Sequence, residues 1–224
     1  MTIAKLTRDG TGYLLLLLIA GFLATGCARP TPANTQQPMP ETTVFADDFS
    51  RPSPAWARYD NEAGAVYALA GELFLEDRGQ GRAVYAPLIG YDIRDVTIYV
   101  DVRHVQGSVD NWMGLVCRQQ DERNFYLLAI SADSYYLILK MVDGAYVPLA
   151  GPEYSDAIQP GRAENQLRAR CNGAQLSLWA NDTHLGTVTD EAILTAGNVA
   201  LFADAVTWGG TVLVAFDNFV LTSP

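Results

Sequence analysis

The centre of the chain reads WMGLVCR over residues 112–118, NFYLLAIS over residues 124–131 and YYLILKMV over residues 135–142. These three segments are short, rich in aromatic, leucine and β-branched residues, and separated by a few polar residues. Such runs are typical of β-strands, and short polar spacers between them are typical of hairpin turns. The centre of the chain therefore predicts three consecutive strands of an antiparallel sheet.

Segments of the same kind recur on both sides of this centre. Alternating or β-branched runs occupy residues 82–86, 96–105, 166–171, 174–180, 198–204 and 211–222. Turn-forming pairs separate strands at Asp143-Gly144, Asn172-Gly173, Asn181-Asp182 and Gly209-Gly210. Past the N-terminal segment, the pattern indicates a helix only as a single turn near residues 190–194. We expect one all-β domain over residues 44–224, built as a two-sheet antiparallel β-sandwich of the jelly-roll kind.

The composition is that of a globular domain and sets limits on its partners. The 224 residues are 49% hydrophobic and 18% charged, which excludes a disordered chain. There are 15 Lys and Arg against 25 Asp and Glu, a formal net charge of −10. Lys5 and Lys140 are the only lysines. Because no broad basic surface is available, nucleic acid is not expected as a partner.

Residues 1–26 have the pattern of an export signal. A cationic start is followed by an apolar run over residues 13–23, which is too short to cross a bilayer but suits a signal peptide. The sequence Ala24-Thr25-Gly26-Cys27 resembles the lipobox of bacterial lipoproteins, although leucine is commoner than alanine at the first position. The resemblance implies cleavage before Cys27, acylation of Cys27, and anchoring of the exported protein in a lipid membrane on the extracytoplasmic side of a bacterial cell. A plain secretory signal is the alternative.

Residues 27–43 join the acylated cysteine to the domain. Residues 28–43 contain four Pro, four Thr and no aromatic residue. A segment of this composition cannot bury a core, so we expect a disordered tether.

Two cysteines remain within the domain. Strand alternation places Cys117 on the apolar face of residues 112–118 and Cys171 on the apolar face of residues 166–171. Cysteines in an exported domain are expected to oxidise, so we predict a Cys117–Cys171 disulfide. Two buried free thiols are the alternative.

The central segments resemble a known superfamily. Residues 114–118 (GLVCR), 124–126 (NFY) and 135–136 (YY) are similar to concanavalin A-like lectin and glucanase domains, and among these to laminin G-like and 3-keto-disaccharide hydrolase modules. The opening DDF at 47–49 and the closing FDNFV at 216–220 support the likeness. The resemblance implies a jelly-roll fold. It implies no single activity, because the superfamily contains lectins, hydrolases and adhesion modules.

No catalytic motif is recognisable. Glucanases of this fold place their paired carboxylates on one strand as Glu-x-Asp-x-x-Glu, and the comparable run at residues 72–77, ELFLED, has Phe74 where the central aspartate belongs. His104 and His184 lie in neither a Ser-His-Asp pattern nor a zinc-binding spacing. The sequence favours a non-catalytic domain, with a glycoside hydrolase-related enzyme as the alternative.

Aromatic and hydrogen-bonding side chains gather on the strand faces that alternation places opposite the core. The predicted ligand-binding residues are Tyr99, Asp101, Arg103, Trp112, Arg118, Tyr126 and Tyr136. A sugar stacks its C–H face on an aromatic ring and needs directed donors and acceptors for its hydroxyls. We therefore expect a carbohydrate-binding face, with packing in the core or at its rim as the other interpretation. A structural or adhesion domain for a protein partner is a further hypothesis.

Asp48 and Asp217 form a candidate metal site. First and last strands of such jelly rolls often lie side by side, and carboxylate oxygens suit Ca²⁺. The alternative is that both aspartates cap turns through local backbone hydrogen bonds. No other cofactor is expected, and the sequence leaves the glycan and the oligomeric state open.

Overall fold

The computed structural model describes residues 41–224, which fold into β-strands joined by short loops. The strands are β1 (Thr42–Asp47), β2 (Tyr59–Asp60), β3 (Gly64–Leu69), β4 (Glu72–Asp77), β5 (Val84–Pro87), β6 (Val96–Gly107), β7 (Trp112–Asp121), β8 (Asn124–Ile130), β9 (Tyr135–Val142), β10 (Ala145–Tyr154), β11 (Glu164–Asn172), β12 (Gln175–Ala180), β13 (Thr183–Thr189), β14 (Asn198–Asp204) and β15 (Val212–Ser223). The first strand begins two residues before the predicted domain start at residue 44. The predictions for residues 1–40, including the signal peptide, Cys27 and most of the tether, lie outside the described residues. Within residues 41–224, no helix is long and apolar enough to cross a membrane.

The strands form two antiparallel sheets, and the predicted all-β sandwich is confirmed. The larger sheet has nine strands in the order β13-β12-β11-β6-β15-β4-β3-β2, with β1 paired to β15. The smaller sheet has six strands in the order β10-β9-β8-β7-β14-β5. The three central segments of the sequence are the neighbouring strands β7, β8 and β9. The first and last strands lie side by side, with Thr42 opposite Ser223.

The main core lies between the two sheets. Met113, Leu115 and Cys117 point inward from β7, as their alternation predicts, and are fully buried. The predicted disulfide is present: Cys117 in the six-stranded sheet is bonded to Cys171 in the nine-stranded sheet, with their Cα atoms 6.7 Å apart. The bond therefore joins the two layers. A buried aliphatic side chain in such a core contributes about 1.5–3 kcal/mol to stability.

The outer face of the six-stranded sheet is also apolar. We call this face the hollow, and its central buried residues are Val116, Phe125, Leu127, Ala129, Leu137, Leu139, Met141, Ala200 and Phe202. Tyr85 on the edge strand β5 reaches over this face, since its ring centroid lies 5.6 Å from that of Phe125 on β8. Three strand spacings separate β5 from β8, about 14 Å in a flat sheet. The Tyr85 side chain thus extends from the sheet edge across the hollow.

Candidate functional site

A cleft of about 840 Å³ opens beside the hollow and draws its lining from both edges of the six-stranded sheet. Tyr85 comes from β5 at one edge and Tyr146 from β10 at the other, while Tyr59 comes from β2 of the larger sheet. Tyr146 is opposite Met141 in the strand register, and paired residues share a face, so Tyr146 belongs to the face of the hollow. Clefts that combine aromatic walls with a few polar groups are the usual sites for small ligands.

The three tyrosines of the cleft keep their hydroxyl groups protonated. The Tyr59 hydroxyl accepts a hydrogen bond from the Tyr85 backbone amide at 3.3 Å. Burial, followed by the neighbouring Tyr146 hydroxyl, raises the pKa of Tyr85. Burial, followed by the charge of Asp204, raises the pKa of Tyr146, and burial raises that of Tyr59. Each ring thus offers a neutral hydroxyl as well as an apolar face at neutral pH.

Polar side chains complete the lining of the cleft. They are Asn61, Arg82, Gln119, Glu122 and Arg123. The Asn61 side-chain oxygen accepts hydrogen bonds from the backbone amides of Ala63 and Gly64 at 2.9 and 3.1 Å, which fixes the side chain and leaves its amide group as a donor. The Arg123 guanidinium donates to the Asp143 carbonyl and is fixed in the same way. Directed donors and acceptors therefore surround aromatic rings, which is the arrangement that a sugar requires.

An exposed tryptophan stands at the rim of this cleft. Trp208 is 81% exposed and lies in the loop between β14 and β15. Its ring covers Gly81, where an added Cβ would come within 2.5 Å of ring atoms Cε3 and Cζ3. Gly81 itself lines the cleft, so the tryptophan ring extends the aromatic surface outward from it.

Three of the seven predicted ligand-binding residues lie elsewhere, on the outer face of the nine-stranded sheet. Tyr99, Asp101 and Arg103 alternate along β6 and are half-buried. Their partners are Glu41 for Tyr99 at 3.4 Å, Asn218 for Asp101 at 2.8 Å, and Glu72 for Arg103 at 2.9 and 2.6 Å. These three side chains form an open polar surface that does not border the cleft.

The prediction that the other four share one outer face is wrong. Trp112 packs at the edge of the hollow, but Tyr126 and Tyr136 belong to the main core, at 0% and 6% exposure. Tyr126 lies opposite Cys117 in the β7–β8 register, and residues paired in this way must point to the same side. Its hydroxyl donates to Asp190 at 2.7 Å, and burial followed by this bond raises the pKa of Tyr126 to about 12.

Arg118 is also buried rather than exposed to ligand. It has a φ of 51° at a point where the β7 register shifts, so the strand alternation that predicts an outward side chain breaks down there. The fully buried guanidinium donates to the carbonyl oxygens of Arg94, Gly173 and Ile193. This residue joins three loops and has no contact with solvent.

Asp48 and Asp217 both use their carboxylates locally. The amide and hydroxyl of Ser50 donate to Asp48 and lower its pKa, and the backbone amide of Asn218 donates to Asp217. Burial and then the charges of nearby carboxylates, Asp48 among them, raise the pKa of Asp217. Within residues 41–224, no group of three or more His, Cys, Asp or Glu side chains is placed to hold a metal ion.

Comparison with known proteins supports the fold. No family model and no curated protein matches the chain. Among solved structures, it resembles the carbohydrate-binding module CBM66 from Bacillus subtilis, at 20% identity and a TM-score of 0.58, covering 75% of this chain and 96% of that one. It resembles a Bacillus subtilis protein of unknown function with a galectin-like fold, at 10% identity and a TM-score of 0.59, covering 81% of this chain and 96% of that one. It also resembles the catalytic domain of an endo-1,3-beta-glucanase from Thermotoga petrophila, at 10% identity and a TM-score of 0.58, covering 82% of this chain and 98% of that one. Residues 41–224 thus have a concanavalin A-like, galectin-like jelly-roll fold.

Proposed function

We propose that this domain is a non-catalytic carbohydrate-binding module that holds its glycan in the cleft lined by Tyr59, Tyr85 and Tyr146. The proposal depends on one observation. Tyr85 and Tyr146, from opposite sheet edges, line the same cleft as Gln119, Asn61 and Arg123. Rings supply stacking surface, and the polar groups supply directed hydrogen bonds. The fold it shares with a structure described as a carbohydrate-binding module supports the same assignment.

The lack of a second carboxylate among the described residues of the cleft supports binding without turnover. Among the described residues that line it, Glu122 is the only carboxylate. Glycoside hydrolysis needs an acid and a second carboxylate at a defined separation. On the strand run that resembles the glucanase motif, Glu72 is bound to Arg103 at 2.6 Å and Glu76 to Arg78 at 2.9 Å. Both carboxylates are thus engaged in ion pairs outside the cleft.

A glycoside hydrolase remains the second candidate because of Asp204. Its position on β14 places it on the face of the hollow, and its charge acts on both Tyr85 and Tyr146. Burial raises the pKa of Asp204, as a general acid requires. If the domain were a hydrolase, Asp204→Asn would abolish sugar release from a bound oligosaccharide. For a binding module we expect no release from the wild type or the variant.

Export and lipid anchoring belong to the same proposal. The Ala24-Thr25-Gly26-Cys27 sequence supports acylation of Cys27. Because the protein is acidic, an anionic membrane surface would not attract it, so membrane attachment would depend on the lipid. Cys27→Ser should release the protein from membranes into the medium. Membrane association that persists in this variant, together with an unacylated wild type, would refute the anchor.

The binding proposal is tested by a glycan screen with two matched tyrosine variants. Tyr146 and Tyr154 lie on the same strand and are 52% and 57% exposed, but only Tyr146 lines the cleft. Their partners on β9, Met141 and Tyr135, are six residues apart, so about 20 Å separates the two tyrosines along the sheet. Tyr146→Ala should weaken binding of a retained glycan about tenfold, which corresponds to about 1.4 kcal/mol, with little change in stability. Tyr154→Ala should bind like the wild type. If no glycan is retained, or if both variants bind alike, the cleft is not a carbohydrate site.

A further inference from the structure

The cleft contains two arginines that form no ion pair within residues 41–224. Its charged lining is Arg82, Arg123 and Glu122, in a chain with a formal net charge of −10. Within residues 41–224, ion pairs involve Arg78, Arg94, Arg103, Arg118 and Lys140. Arg82 is exposed and has no carboxylate within 4.0 Å among these residues. Its guanidinium is therefore available to a ligand.

Arg82 lies between the two aromatic surfaces of the site. Gly81, directly before it, is covered by the Trp208 ring, and Tyr85, three residues after it, forms the wall of the cleft. From residue 81 to residue 85 the extended chain spans about 13 Å. A ligand that touched both rings would have to be longer than a single sugar ring, and Arg82, which also lines the cleft, lies between them in the sequence.

The loop that carries Trp208 is tied to the loop that carries Arg82. The buried carboxylate of Asp77 accepts hydrogen bonds from the backbone amides of Gly79 at 2.8 Å and Ala205 at 2.9 Å. The Gly209 amide donates to the Gly79 carbonyl at 3.0 Å. These bonds fix the backbone of the loop that carries the exposed indole ring, so less ordering entropy of the loop is lost when a ligand stacks on the ring.

We propose that the cleft binds an acidic oligosaccharide, with Arg82 receiving a carboxylate or sulfate group and Trp208 stacking on a second sugar ring. This inference rests on the carbohydrate function proposed above and specifies its ligand. The planar guanidinium can donate two parallel hydrogen bonds to either oxyanion. A neutral sugar would leave that capacity unused.

The experiment compares an acidic oligosaccharide with its uncharged methyl ester and with a second ligand that carries sulfate in place of carboxylate. Wild-type protein is titrated by calorimetry with oligogalacturonate, with its methyl ester, and with a sulfated galacto-oligosaccharide. The variants are Arg82→Gln and Arg170→Gln, because Arg170 is exposed on the outer face of the nine-stranded sheet and its loss changes the net charge equally. We expect the acidic ligands to bind at least tenfold more tightly than the ester, and this difference to shrink as salt is raised.

Arg82→Gln should remove the preference for the acidic ligand, and Arg170→Gln should retain it. Trp208→Ala should weaken binding of the oligomer at least threefold and leave binding of monomeric galacturonate unchanged. Equal affinity for the acid and its ester, or an Arg82→Gln variant that binds like the wild type, would overturn this inference and leave the carbohydrate function intact. If none of the three ligands and no neutral glycan binds, both this inference and the carbohydrate function are overturned.

Discussion

Replacing Arg118 by methionine tests whether this residue is structural or a ligand contact. The guanidinium is fully buried and donates to Arg94 O at 2.8 Å, Ile193 O at 3.0 Å and Gly173 O at 2.6 Å, and it lies 3.2 Å from the Asp95 carboxylate. Methionine keeps much of the volume but removes every donor. The three carbonyl groups then lose a charged partner inside the protein.

The expected cost is about 3 kcal/mol, at the lower end of the range for removing one partner of a buried ion pair. The lower end applies because Asp95 keeps other partners, namely Arg94 and the Gly173 amide. Urea unfolding followed by tryptophan fluorescence measures the loss as a lower midpoint at unchanged slope. The control is Arg103→Met, whose ion pair with Glu72 is partly exposed and should contribute less than about 1 kcal/mol.

The same variant should bind glycan normally once its folded fraction is accounted for. A loss of stability below about 1 kcal/mol, combined with loss of glycan binding, would refute the structural role of Arg118 and restore it as a ligand contact.

Three further perturbations have clear expected outcomes. Replacing Cys117 and Cys171 by alanine opens a cross-link of sequence separation 54 and should lower the free energy of unfolding by about 4 kcal/mol in a urea titration; equal midpoints for variant and wild type would contradict this. Burial lowers the pKa of His104, so the unfolded chain binds more protons and stability should fall as pH drops below about 6.5. His104→Leu should reduce the fall in stability below about pH 6.5, and an unchanged pH dependence would show that His104 does not cause that fall. Gly81→Ala introduces a Cβ that meets the Trp208 ring and should shift tryptophan emission, whereas an identical spectrum would show that the ring does not rest on Gly81.

The fold class could be predicted because nine of the fifteen strands, namely β5 to β9, β11, β12, β14 and β15, have a recognisable local pattern. Alternation within residues 112–118 correctly assigns Cys117 to the core, alternation within residues 166–171 does the same for Cys171, and the two form the predicted disulfide. Turn pairs such as Asp143-Gly144 correctly separate β9 from β10. These features depend on neighbours in the sequence, so no long-range information is needed to recognise them.

The site could not be predicted, because it depends on register between strands. In β8, Phe125, Leu127 and Ala129 on one face alternate with Tyr126 and other apolar residues on the opposite face. A strand that is apolar on both faces gives no signal for which face is inward. Alternation alone therefore does not determine whether Tyr126 points inward or outward. Its pairing with Cys117 places it inward, against the prediction.

The residues that line the cleft were missed for a related reason. Tyr85 and Tyr146 are far apart in the sequence and come together only because they lie on opposite edges of one sheet. Trp208 directly precedes the Gly209-Gly210 pair, and an aromatic residue at a turn is a signal that could have been used.

The most direct test of the account is amide chemical-shift mapping of the protein during titration with a glycan that the wild type retains. We expect the shifts to concentrate on the cleft, at Tyr85, Gln119 and Tyr146. Shifts that concentrate instead around Tyr99 and Asp101, on the outer face of the nine-stranded sheet, would contradict it.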